Sequence, residues 1–115
     1  MNNEILTIFE NFAVNGVKIP VKWLKYKGDG DYIVFSGLGE NPEHSADDDS
    51  EYSVPPYDFD IYTKGNYTNI LKEVKSRLKT NGWTWVEDSP DMYEEDTGYY
   101  HKTTTFKKEK YLKGE

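Results

Sequence analysis

The sequence contains no cysteine. That removes disulfides, thiol nucleophiles and the usual structural zinc sites, and it suits the cytosol. No apolar run approaches the roughly 18 residues of a membrane span, and the start MNNEILTIFENF lacks the basic, apolar pattern of a signal peptide. Positive charge is short too. A formal net charge of −7 and an isoelectric point near 4.8 argue against a general binder of nucleic acid or anionic membranes, which needs a basic face. What the chain holds in quantity is aromatic surface: 16% of its 115 residues, with ten tyrosines and three tryptophans. Such residues are enriched at contacts between proteins and are also ordinary strand residues. The length suits one domain with a single core.

Asn3 is positioned to cap a first helix, with Ile5, Ile8, Phe9 and Phe12 recurring on one face. Asn15-Gly16 marks a tight turn. In VKIPVKWLKY, Val17, Ile19, Val21 and Trp23 alternate with polar positions as in a strand, and Pro20 sends it to an edge or starts it there. DYIVFSG has the continuous apolar centre of a strand buried on both faces. Residues 37–56 carry six acids and no lysine or arginine, too long and polar a stretch for a simple connector. YDFDIYT reads as a half-solvated strand, and residues 66–80 as the best helix, with Tyr67, Ile70, Leu71, Val74 and Leu78 on one face. Lys72, Lys75 and Lys79 are expected outside that face, and Gly82 ends the helix. WTWVE and YYHKTTTFKK are further strands. This order predicts one α+β domain, a mostly antiparallel or mixed sheet of about five strands packed by two helices. Val34, Tyr57, Phe59, Ile61, Ile70, Leu71, Val74, Leu78 and Phe106 are the expected single core.

The stretch DMYEEDTGYYHKTTTF, residues 91–106, raises the question of chemistry. Asp91, Glu94, Glu95 and Asp96 beside His101 are candidates for metal ligation or acid catalysis. They also suit a solvated hairpin turn, Glu95-Asp96-Thr97-Gly98, with Gly98 left-handed and the threonines in the ribbon. Neither this stretch nor DDDSEYS keeps the ligand spacing of an EF-hand. His44 and His101 lack the spacing of a helical zinc pair. A weak surface calcium site at Asp47, Asp48, Asp49 and Glu51 stays open. No nucleophile elbow or phosphate loop is present, so no catalytic residue or cofactor is assigned.

Charge is segregated along the chain. Residues 37–60 hold eight acids and no base, and residues 87–96 hold six acids and no base. From Lys102 onward there are five lysines against Glu109 and Glu115. A solvated surface accounts for this pattern. So does a head-to-tail contact between copies, with Asp47, Asp48, Asp49 and Glu51 meeting a basic tail at 107–115, namely Lys107, Lys108, Lys110 and Lys113.

Over most of its length the chain resembles the tail-completion, or tail-terminator, proteins of long-tailed phages and prophages. The resemblance lies in the order of pieces: an N-terminal helix, DYIVFSG, YDFDIYTKGNY leading into TNILKEVKSRLKTNGW, and the closing DMYEEDTGYYHKTTTF. It implies a structural virion protein, a subunit of a generally six-fold ring that completes the tail and joins it to the head. It implies no catalytic residues, and tail-tube and head-connector proteins as partners. A membrane or a specific nucleic-acid sequence is not among the expected partners, and the expected location is the virion tail, with assembly in the host cytoplasm. Monomers in solution are compatible with this reading. The alternatives are a small acidic binding module of the DNA-mimic type and a metal-dependent hydrolase.

Overall fold

Two aromatic-rich strands, Tyr32–Gly37 (β4) and Tyr57–Thr63 (β5), sit at the heart of the molecule and pair antiparallel from Tyr32↔Tyr62 to Gly37↔Tyr57. The structure, a computed structural model, describes residues 2–38 and 55–108. On one flank, Val21–Trp23 (β3) runs parallel to β4 as a short edge strand. On the other, the long strand Tyr99–Lys108 (β8) pairs antiparallel with β5. Trp83–Asp88 (β6) and Met92–Glu94 (β7) share the outer side of β8, which gives the order β3-β4-β5-β8-β6 with β7 beside β8. A separate hairpin joins Ala13–Val14 (β1) and Val17–Lys18 (β2). Its turn is Asn15-Gly16, with φ of 54° and 80°, the Asn-Gly signature of a type I′ turn. Among the described residues two helices, Asn2–Ile8 (α1) and Thr68–Thr80 (α2), complete one α+β domain.

Strand alternation sorts the sheet into two unlike faces. Ile33, Phe35, Phe59, Ile61 and Phe106 point one way and are covered by Ile5, Phe9 and Phe12 from the N-terminal segment and by Ile70, Val74 and Leu78 of α2. Each large side chain removed from water there contributes about 1.5–3 kcal/mol. Tyr57, Tyr67 and Leu71 pack at its margin. Arg77 of α2 donates to the carbonyls of Ile8 and Glu10, at 3.0 and 3.1 Å, so one side chain satisfies the open end of α1 and fixes the two helices together. Asn66 Oδ1 accepts the Thr68 N–H at the start of α2, and Gly82, at φ 90°, terminates that helix.

Three expectations need correction. Val34 does not belong to the helix-covered core. Alternation turns it to the other face, where it packs with Tyr32, Tyr99 and Tyr62. VKIPVKWLKY is not one strand, because Pro20 donates no ladder hydrogen bond and β2 and β3 lie on either side of it. Within it Ile19 is buried, yet Val17 and Trp23 are more than half exposed. Asn3 lies inside α1 rather than capping it, and the helix stops at Ile8 before Phe9 and Phe12, which are nonetheless buried. Lys75 stays outside the apolar face of α2, as expected. It bends back to pair with Asp88 at 2.7 Å and lies over the Trp85 ring.

Candidate functional site

The face of the sheet away from the helices carries most of the polar side chains that resemble a chemical site. Cross-strand register sets Asp58 opposite Thr105, Asp60 opposite Thr103 and Tyr62 opposite His101. Thr105 donates to Asp58 at 2.5 Å, and Thr103 donates to Asp60 Oδ1 at 2.5 Å. His101 Nε2 lies 3.2 Å from that same oxygen, and its ring stacks on Tyr62 at 4.3 Å. An acid, a histidine and a hydroxyl are thus in contact, but the wiring is not that of an activated nucleophile. Such a nucleophile gives its proton to the histidine, whereas the Thr103 hydroxyl lies 2.5 Å from the carboxylate and 3.4 Å from His101 Nε2, so the carboxylate is its closer partner. The row is a set of cross-strand anchors.

Next along this face is a tyrosine cluster. Tyr32 stacks on Tyr62 at 4.8 Å, and Tyr26 and Tyr99 meet Tyr32 edge-on. Burial first, then the negative charge of Asp60 and Glu94, pushes the Tyr62 hydroxyl up to about 12. The Tyr99 hydroxyl donates toward the carbonyls of Gly28 and Gly30, at 2.6 and 2.9 Å. This draws the segment after β3 across the sheet. A shallow cleft of about 380 Å³ remains between residues 24–28 and Tyr32, Tyr62, Tyr99 and Glu94.

The acids of residues 88–96 divide into anchors and surface. Asp88 accepts from Lys75, Trp85 and Thr104. Burial works to raise its pKa, and these hydrogen bonds with the Lys75 charge outweigh burial and leave it lowered. Asp91 accepts from Tyr67 at 2.5 Å and Lys102 at 3.0 Å, which lowers its pKa. Glu94 accepts from the Thr97 hydroxyl, while its carbonyl takes the Gly98 N–H. Gly98 sits at φ 79°, so the turn 95–98 is the expected hairpin turn with its glycine left-handed. Glu95 and Asp96 are exposed at its tip. Among the described residues no group of three or more histidines or carboxylates is placed to hold a metal ion.

Of the residues expected at an interface, Asp47, Asp48, Asp49, Glu51, Lys110 and Lys113 lie outside the described residues. So do His44 and most of the 37–56 tract, whose described ends are joined by the Leu38 N–H to Pro56 carbonyl bond. Lys107 and Lys108 are strand residues of β8, so the basic segment starts inside the sheet rather than after it. Lys108 pairs with Glu4 of α1 and lies over Trp83. It is therefore committed within its own chain.

Sequence reasoning missed a basic, aromatic strip at the start of the sheet. Residues 11–28 contain four lysines and no acid, against the −7 of the whole chain. Lys18, Lys22, Lys25 and Lys27 are exposed, as are Trp23, Leu24 and Tyr26. Leu24 has φ of 72°, and the Lys25 N–H bonds to the Trp23 carbonyl, which makes a γ-turn centred on a leucine. This is a rare and strained conformation for such a residue. The absence of acids over eighteen positions was the available signal; averaging charge over the chain hid it. No family model matches the chain, and no curated protein matches it. No helix among the described residues is long and apolar enough to cross a membrane.

Proposed function

We propose that this chain is a structural virion protein of a long-tailed phage or prophage, a ring subunit that completes the tail and joins it to the head. One observation carries the reading: the acidic closing segment, the part of the sequence most suggestive of chemistry, is used as architecture. Asp88 and Asp91 fasten the β6–β8 region to α2 and its leading turn, and Glu94 closes the hairpin. The pieces whose order resembles the tail-completion proteins follow one another through a single sheet as β4, β5, α2 and the β7–β8 hairpin. The polar residues of the open face are consumed in pairs between neighbouring strands. A rigid plate with these properties suits a subunit that works by fitting against other proteins.

Deletion of the gene from an inducible prophage tests the reading. Negative-stain images of the lysate should show DNA-filled heads and unattached tails, or tails of abnormal length, and supplying the gene in trans should restore joined particles. Normal particles from the deletion would overturn it.

A further inference from the structure

We propose that the two lateral edges of the sheet are the two halves of a head-to-tail contact between copies of this chain. Lys22, Trp23 and Leu24 at the β3 edge of one copy would meet Trp85, Glu87 and Tyr93 at the β6–β7 edge of the next. The inference deepens the ring reading by naming the surfaces through which subunits join.

Exposed apolar surface points there first. Among the described residues eleven large hydrophobic side chains are exposed, and nine of them fall in two groups. Trp23, Leu24 and Tyr26 lie at or next to β3 with Val17 on the preceding hairpin strand β2, and Trp85, Val86, Met92, Tyr93 and Tyr100 lie along β6, β7 and the adjoining part of β8. Strand order puts these groups at opposite sides of the sheet. At about 4.8 Å per strand, β3 and β6 are about 19 Å apart, so one copy cannot satisfy its own two edges.

Charge makes the edges complementary rather than alike. The β3 side has Lys18, Lys22, Lys25 and Lys27 with no acid from residue 11 to 28, and none of the four has an ion-pair partner among the described residues. The opposite side holds six acids and no base over residues 87–96, of which Glu87, Asp91, Glu95 and Asp96 are exposed, Asp91 being paired with Lys102. Lysines on an edge strand also serve to block unwanted pairing. That role alone does not explain a tryptophan and a leucine more than half exposed between those lysines, nor a leucine held in a γ-turn. The β6–β8 pairing shifts register between Trp85 and Glu87, a bulge of the kind that twists an edge strand away from further pairing, which favours contact through side chains. Unlike edges joined in this way form a heterologous interface, which closes into a ring when the rotation allows.

The lack of cysteine permits a direct test with the full chain. A Lys22→Cys/Glu87→Cys variant, treated at high protein concentration and low salt with a short thiol cross-linker, should give a ladder of dimers, trimers and larger species. Mixing the two single variants should favour the mixed dimer severalfold over either homodimer. Most of the ladder should disappear at 1 M salt, where the Debye length falls to about 3 Å. A control pair at exposed Thr7 and Lys79 should give little product. Equal yields from the control, or homodimers alone, would overturn the edge contact. Unjoined heads and tails from the gene deletion would then still support the tail-completion reading. A ladder accompanied by normal particles would do the reverse, supporting the edge contact and overturning the tail role.

Discussion

The two faces of the sheet are built from the same strands and held together by different physics. In β5, Phe59 and Ile61 face the helices and are fully buried, while Asp58, Asp60 and Tyr62 between them face the other way and are only partly buried. The covered face is stabilised by apolar area taken from water, which is insensitive to pairing geometry. The open face depends on short directional contacts, Asp58 with Thr105, Asp60 with Thr103 and His101, and ring on ring from His101 to Tyr32. One face secures the fold; the other fixes the register of β5 against β8, because a one-residue slip would bring every such pair to the wrong side.

The two faces should differ most at Phe59. Phe59→Ala should cost about 3–5 kcal/mol in chemical unfolding, since the residue is fully buried between sheet and helix. On the open face, Asp60→Ala should cost about 1.5–3 kcal/mol, the range for hydrogen bonds to a charged group. A loss at Asp60 equal to that at Phe59 would mean that the polar row, not the apolar core, dominates stability. Gly98→Val should cost about 1–2 kcal/mol, because a β-branched residue resists the left-handed conformation seen there. Glu95→Gln at the same turn should stay within about 0.5 kcal/mol, and millimolar calcium should leave its melting temperature unchanged.

Much of this division was legible from the sequence. The half-solvated pattern of YDFDIYT was legible, and Phe59, Ile61 and Phe106 were all expected in the core that the helices cover. The turn at Glu95 to Gly98 was legible because glycine marks left-handed positions. Val34 was misplaced because an apolar residue in a continuous apolar run carries no label for which face it takes. The anchoring of Asp88 by Lys75 was hidden because contacts between separate elements depend on topology. Trp23 was read only as a strand residue, alternating with lysines. Its exposure follows from the end of β3 and the γ-turn at Leu24, a feature that no residue pattern announces.

The smallest expected effect concerns pH. The folded pKa of Tyr62 is raised to about 12, so its contribution to stability is fully present below the unfolded value of 10.0 and is lost as pH rises from there through about 12. Tyr62→Phe should lessen the loss of stability over that window, measured by chemical unfolding as a function of pH. An identical alkaline profile for the two proteins would show that Tyr62 is not held neutral by the open face.

On the proposed reading the protein acts as a placed structural part, with its carboxylates serving architecture. The most direct test is the purified particle. Electron cryomicroscopy of joined virions should show this chain as a ring at the head-proximal end of the tail, with each copy's β3 edge against the β6–β7 edge of its neighbour. Particles that join normally and contain no copy of the chain would contradict the account.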